Sequence, residues 1–442
     1  MLKRPIPSCL LLVALAAGSA QAASLQQIQY RLHQDPHAEV EADLRLLAER
    51  GDRASMRLLA DVLAGSAERS QQQEAIALYQ AAFADGRGQL DALVGLANFS
   101  ERLPNGHDAQ RAFFSQAVQR FAATRDPNSV ATSLDLFLVY PELYPPAQVH
   151  ELISLHQRAC LETCASALYR ARLAEQQGQR ALADNLYLSA LRSDARAVER
   201  YYQFLGEEQD ELFPARASGL LGQIDSLPVA VVLAIGNLLS SIPREHDPQV
   251  MQWLDNAIAR QAEQARVSKA SYMMSAPQSY SAEEVFALID QVELTRPQEG
   301  RALRASAYLV RGWRSLDPFK AHEIIQALLA EGYQNAYLNL GELYSMGGLD
   351  QVDQAKAIAS YRVLAARGVP SAFYRIATLY GGGKGICHDQ VKAYAYAKIA
   401  VDGGELGARK YLKELAQQIS QEQLNQALQA RNGIIRDIEA AL

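Results

Sequence analysis

Residues 379–404 read LYGGGKGICHDQVKAYAYAKIAVDGG, with Gly381, Gly382, Gly383 and Gly385 crowded around Lys384. A glycine-rich loop beside a lysine can cradle phosphates, but that chemistry needs Gly-Lys-Ser/Thr after a strand. Here Lys384 is followed by Gly385 and both flanks have helical spacing, so a turn between helices is predicted. A second candidate is RALRASAYLVRGWR, residues 301–314. Arg301, Arg304, Tyr308 and Arg311 share one helical face, with Trp313 and Arg314 just beyond. Paired guanidinium bonds from such a face would suit carboxylates of a partner protein or of uronate sugars. The plainer alternative is a solvated charged face.

A third candidate is His156, Cys160 and Cys164, each four residues from the next. Three ligands on one helix cannot wrap a tetrahedral ion, which argues against metal. A Cys160–Cys164 disulfide would need a helix end between the two, and a simple pair of cysteines near a helix junction is the other reading. The eight histidines are scattered, and no Ser-His-Asp set or paired carboxylates stand in a cleft context. No catalytic, cofactor-binding or metal-ligating residue is therefore assigned, and the chain is not expected to be an enzyme.

What frames these residues is a long, acidic chain: 442 residues, 49% hydrophobic, formal charge −6. Lys3 and Arg4, an apolar run from Leu10 to Ala17, and Ala20-Gln21-Ala22 form the pattern of a secretory signal peptide over residues 1–22. Its removal would take the charge from −6 to −8. Such a field repels nucleic acid and other acidic polymers in general. No later apolar run approaches the ~20 residues of a spanning helix, so direct membrane insertion is not expected.

The strongest organisation is a period of 36 residues. Asp317, Asp353 and Asp389 keep that step, as do Lys320, Lys356 and Lys392, and Ala321, Ala357 and Ala393. So do Gly332, Gly368 and Gly404, then Tyr308, Tyr344 and Tyr380, and the small residues Gly300, Ala336, Ala372 and Ala408. Each type has a physical task. The aspartate suits an N-cap, the glycine a left-handed residue after the helix, and the small residue a close helix approach. Apolar residues between the caps, such as Ala357, Ile358, Tyr361, Leu364 and Ala365, fall at helical spacing. Each period is thus predicted to be a helix-turn-helix, and the Gly-rich stretch its internal turn.

These residues resemble Sel1-type repeats, the glycine-rich relatives of the tetratricopeptide repeat. The likeness is strong over 331–411 and good over 300–332. LRLLAERGDRASMRLLADVLAGS (44–66) and QEAIALYQAAFADG (73–86) repeat it more loosely, and between about 100 and 300 it is degenerate. The resemblance implies an all-α, right-handed superhelical solenoid. Residues 23–275 would hold degenerate repeats, 276–411 the Sel1-like ones, clearest at 300–411, and 412–442 a capping helix. SYMMSAPQSYS (271–281) reads as an internal linker, and VYPELYPPAQ (139–148) as a rigid extended link.

The order of motifs along the whole chain is also similar to AlgK-type proteins of bacterial alginate secretion. It is carried by LAERGDRASMRLLADVLAGS, AIALYQAAFADG, FSQAVQRFA (114–122), LFLVYPELYP (136–145) and CASALYRARLAEQQGQ (164–179). That resemblance implies a periplasmic scaffold that helps place the outer-membrane export porin and holds the alginate-modifying protein AlgX. Ser19 stands where a lipoprotein signal would have cysteine, so a form soluble in the periplasm or peripheral to the outer membrane is expected. The alternative is a general Sel1 adaptor in envelope signalling or host interaction. By analogy with related solenoids, the first helix of each pair lines a groove. This nominates Tyr337, Tyr374 and Arg375 as partner contacts beside the Arg301, Arg304 and Arg311 face. Ordinary packing is the competing role for the two tyrosines.

Overall fold

The computed structural model describes residues 23–34, 39–66, 68–83, 90–101, 103, 108–124, 126–159, 166–242, 248–382 and 387–441. The signal-peptide residues and the Cys160/Cys164 pair lie outside them. Among the described residues every regular element is a helix. In chain order these are α1 Leu25–Gln34, α2 Glu41–Glu49, α3 Arg53–Ala64, α4 Arg69–Phe83, α5 Leu90–Glu101, α6 Arg111–Thr124, α7 Pro127–Val139 and α8 Pro146–Ala159. There follow α9 Ser166–Gln176, α10 Arg180–Ala190, α11 Arg196–Leu205, α12 Gln209–Ser218, α13 Val229–Ser241, α14 Pro248–Ala259, α15 Glu263–Ser275 and α16 Ala282–Thr295. The last are α17 Pro297–Ala307, α18 Pro318–Ala330, α19 Ala336–Met346, α20 Gln354–Ala365, α21 Pro370–Gly382, α22 Gln390–Asp402, α23 Ala408–Gln418 and α24 Gln421–Ala441.

Contacts divide the chain into two compact units: residues 1–64 with 68–96, and residues 65–67 with 97–442. In the first, α2, α3 and α4 pack in sequence, and the Tyr79 hydroxyl donates to Asp61 at 2.7 Å. The second is an all-α repeat solenoid in which the helices before α24 pack chiefly on their neighbours in the chain. The first helices of its pairs are α7, α9, α11, α13, α15, α17, α19, α21 and α23.

The 36-residue pattern shows how the solenoid is made. Asp317, Asp353 and Asp389 each accept a hydrogen bond from the backbone N–H three residues on, at 3.0, 2.9 and 2.9 Å. Their own N–H groups donate to the carbonyls of Tyr308, Tyr344 and Tyr380 at 2.9, 3.0 and 3.1 Å. This ties the end of one helix to the start of the next. Lys320, Lys356 and Lys392 then lay their ammonium groups over the same three tyrosine rings, at 5.0, 5.5 and 5.3 Å. A cap is worth about 1 kcal/mol and an exposed cation–π contact about 0.5–1 kcal/mol. Gly332, Gly368 and Gly404 take φ of 83, 73 and 91°, and the following N–H reaches back to the carbonyl five residues earlier.

The same helix end recurs where the sequence period is lost. Gly178 has φ 72°, and Gln261, a non-glycine residue, has φ 63°. The N–H groups of Gln179 and Ala262 donate to Ala174 and Ala257 as in the regular copies. The degenerate middle is therefore built on the same backbone plan. Its helices include α9, α10 and α13.

Four expectations are corrected. Residues 139–148 are not an extended link: a 3-10 turn, Pro141–Leu143, joins α7 to α8, with Tyr140 and Tyr144 buried on either side. Gln176 fixes that turn by donating to the carbonyls of Pro141 and Tyr144 at 2.7 and 3.1 Å. The segment 271–281 is a short, pinned connection: α15 runs to Ser275, Ser281 begins α16 with a capping box, and the Trp313 indole donates to Pro277 and Tyr280 carbonyls at 3.1 and 3.0 Å. Residues 412–418 still belong to α23, so the terminal helix begins at Gln421 and packs on α22. The Gly-rich turn also starts later than expected, because Gly381 and Gly382 are still helical. A Cβ on Gly381 would stand 1.8 Å from the Tyr411 hydroxyl, which explains the glycine.

Candidate partner-binding surfaces

The expected single helical face is not formed: α17 ends at Ala307, so Arg301 and Arg304 lie on the helix while Tyr308 and Arg311 fall beyond it, and all three arginines are turned to internal use. Arg301 makes a two-pronged ion pair with Glu331, at 2.8 Å for one prong. The Glu331 hydrogen bonds raise the Arg301 pKa, and the same contact lowers that of Glu331. Arg304 reaches Glu293 and Asp290 on α16, both at 2.6 Å, and lies 5.7 Å from the Phe286 ring centre. The Glu293 bond, followed by the Asp290 bond, raises its pKa against the opposing effect of burial. Arg311 donates to the Met346 carbonyl at 3.2 Å. Arg301 and Arg304 thus link α16, α17 and α18, while Arg311 reaches α19.

Tyr337 and Tyr374 lie on α19 and α21, half-buried. Tyr337 packs against the apolar clusters of both flanking repeats, which makes it part of the join between them. Tyr374 meets Tyr411 edge-to-face at 6.1 Å, and burial raises its pKa. Arg375 occupies the slot that is Asn339 one repeat earlier and Tyr411 one repeat later. In those repeats the slot bonds to the preceding first helix: Asn339 donates to Ala302 and Ser306, and Tyr411 lies 3.5 Å from the Ala377 carbonyl. Arg375 has no such bond. Its side chain is exposed and makes neither a hydrogen bond nor an ion pair among the described residues. Desolvation by the surrounding side chains pulls its pKa down, and the fields of Glu342, Tyr361, Tyr374 and Glu405 together more than restore it. Of Arg301, Arg304, Arg311 and Arg375, Arg375 is the one whose guanidinium has no hydrogen-bond or ion-pair partner among the described residues.

One surface was not visible in the sequence. The first helices α7, α11 and α13 line a cavity of about 560 Å³, and Leu406, in the turn before α23, closes one side. Arg409 fastens that turn: its guanidinium donates to Glu199 on α11 at 2.5 Å and stands 5.9 Å from the Tyr202 ring centre. The C-terminal repeats therefore return to the middle of the same unit, 210 residues away in sequence. A second cavity of about 370 Å³ continues from Asn237 along α15. First helices do line the interior, as expected, but the lining comes from the degenerate repeats as well.

His156 packs edge-to-face on Tyr169 at 5.4 Å, and burial lowers its pKa. Cys387 is an exposed free thiol. Among the described residues no group of three His, Cys, Asp or Glu side chains could hold a metal ion. No helix there is long and apolar enough to cross a membrane.

No family model matches the chain, and no curated protein sequence matches it. Among solved structures, a protective antigen of uropathogenic Escherichia coli strains with an SLR fold is 16% identical, over 91% of this chain and 95% of that one, with a TM-score of 0.29. A Sel1 repeat protein from Oxalobacter formigenes is 15% identical over 93% of this chain and 97% of its own, with a TM-score of 0.27. Superposition at those scores is poor, and the solenoid assignment rests on the caps and helix pairing described above.

Proposed function

We propose that the chain is a non-catalytic scaffold that docks a partner protein on the first helices of its C-terminal repeats, around Tyr374 and Arg375. The observation that carries this is the contrast within one structural slot. Asn339 and Tyr411 use it to join helices, whereas Arg375, next to Tyr374 in the chain, leaves a charged, planar group without a hydrogen bond or ion pair among the described residues. Arginine and tyrosine so placed are favoured anchors at interfaces. In its finer form the reading is a periplasmic scaffold of exopolysaccharide export, with alginate as the polymer. The ordered motifs from residue 44 to 179 and the Sel1-like copies after them support that setting. The partners would be an outer-membrane polysaccharide porin and an AlgX-like periplasmic protein.

Deleting the gene and measuring secreted polymer and porin level tests the finer reading. Loss of export, restored by the wild-type chain, is expected. Unchanged export with normal porin would remove the polysaccharide role and leave only the adaptor.

A further inference from the structure

Arg196 and Arg200 stand about one turn apart on α11, and their surroundings differ. Arg196 is held by Asp194 and Asp135, and the Asp194 bond raises its pKa. Arg200 is half-buried, and its one side-chain partner among the described residues is the neutral Gln203 amide oxygen, at 3.2 Å. The nearby Glu175 is taken by Arg172 at 2.7 Å and by the Tyr187 hydroxyl at 2.6 Å. Burial lowers the Arg200 pKa, and the like charge of Arg172 lowers it further. A guanidinium drawn out of water without a counter-ion is costly, and an incoming anion would relieve that cost.

Arg200 lies on the wall of the cavity between α7, α11 and α13. Most of that wall is aliphatic: Leu138, Val139, Val198, Ala234, Leu238 and Leu406. Val139 remains 49% exposed, so part of this apolar surface is open to solvent. The acceptors around it are already engaged. Asp135 accepts from Arg196 and from the Tyr169 hydroxyl, Glu199 accepts from Arg409 and Gln203, and the Gln203 oxygen accepts from Arg200 itself. The Asn237 amide oxygen is buried, out of reach of a ligand. A ligand rich in N–H or O–H groups, such as a peptide or a sugar, would compete for acceptors in use. A carboxylate needs only donors, and an alkyl chain needs neither.

We propose that this cavity binds a small aliphatic monocarboxylate, the chemistry of a medium-chain fatty acid. Its carboxylate pairs with Arg200, and its alkyl chain lies against the leucines and valines of α7, α11 and α13. Leu406 belongs to the turn before α23, so the bound chain also touches the C-terminal repeats where they return to the middle of the unit. The site is separate from the Tyr374 and Arg375 surface and stands without it. A volume of about 560 Å³ falls in the range of small-ligand pockets.

The test is titration calorimetry of the full chain with octanoate below its micellar concentration, and with acetate, 1-octanol and octyl phosphate as comparators. Octanoate should bind more tightly than 1-octanol by about tenfold or more, the order of effect of one charge-assisted hydrogen bond. It should exceed acetate by a wider margin, since each buried methylene contributes about fourfold in affinity. Arg200→Gln should bring octanoate down to the level of 1-octanol and leave 1-octanol unchanged. Ala234→Phe, which fills the cavity from α13, should weaken octanoate and 1-octanol alike and carries the test if Arg200→Gln fails to fold. Octanoate binding no more tightly than 1-octanol or acetate, or octanoate binding that survives Arg200→Gln or Ala234→Phe in folded protein, would overturn the proposal. So would tighter binding of N-acetyl-leucyl-leucine or of octyl phosphate than of octanoate, which would make the occupant a peptide or a phospholipid fragment.

Discussion

The C-terminal repeats, residues 296–411, and the middle of the second unit, residues 166–275, reach the same backbone plan with different side chains. In the C-terminal repeats the helix seams are lined with alanine: Ala357, Ala365, Ala372, Ala377, Ala393, Ala397, Ala400 and Ala408 are all buried. In the middle the core is aromatic. Tyr187 packs on Tyr201 and Phe204 at 5.8 and 5.1 Å, Tyr202 meets Phe213 at 5.8 Å, and Trp253 is fully buried. Helix starts differ too. Among second helices, aspartate caps α18, α20 and α22, whereas α10 and α12 follow Gln179 and Glu208, neither of which caps with its side chain; first helices such as α11, α13, α17 and α19 lack a side-chain N-cap in both regions. Small seam residues and strong caps make a standard unit that can be copied. Where the copying lapses, bulky residues fill the space.

If that contrast is right, the two regions should fail in opposite ways. The largest effect is expected from Trp253→Ala, which empties the aromatic core and should cost about 3–5 kcal/mol in denaturant unfolding. Next comes the reverse change in the C-terminal repeats. Ala393→Leu, or Gly300→Ala, overfills a tight seam and should cost about 1–3 kcal/mol. A Cβ at residue 300 would lie 2.4 Å from the Glu293 side chain and 2.8 Å from its backbone nitrogen. A mild response to either would mean that the seam is looser than its alanines imply.

Removing one cap, by Asp389→Ala, should cost about 1 kcal/mol. The caps also predict an acid response. Hydrogen bonds from the Lys356 backbone and side chain lower the Asp353 pKa, and those from Lys392 lower that of Asp389 against the opposing effect of burial. A carboxylate with a depressed folded pKa stabilises above its unfolded value, about 3.9, and that contribution is lost as pH falls through the folded value. Hydrogen-exchange protection in α20 and α22, corrected for the intrinsic exchange rate, should therefore fall on acidification below pH ~4, and Asp389→Ala should blunt that fall in α22. The smallest effect is a gain. Gln261 holds a left-handed conformation that glycine adopts freely, so Gln261→Gly should raise stability by up to about 1 kcal/mol. A loss there would show that the Gln261 side chain contributes more than its backbone strain removes.

The same contrast explains what was legible in the sequence. Over 300–411 each residue type has one task, so Asp, Lys, Gly and Tyr at a fixed step reveal helix, turn and helix. In the middle, Gln261 does what Gly368 does elsewhere, and no residue-type search finds it. The arginines of 301–311 were found, but their engagement was not legible. The partners of Arg304 are on the preceding helix, and that of Arg301 lies 30 residues on. Residues 271–281 looked like a joint because they hold turn residues, while the tie that pins them comes from Trp313. The Arg200 cavity assembles residues 135, 200, 237 and 406, a combination that only the return of the solenoid onto itself creates.

The central claim is that paired groups build the fold and unpaired ones bind. Its most direct test compares Arg301→Gln with Arg375→Gln, measuring thermal midpoint and affinity for a protein captured by the wild-type chain in parallel. The account predicts that Arg301→Gln lowers the midpoint and leaves affinity unchanged, while Arg375→Gln keeps the midpoint and weakens binding by about tenfold or more, as loss of an interface arginine does. Retention of full affinity by Arg375→Gln, with the loss appearing in Arg301→Gln instead, would contradict it.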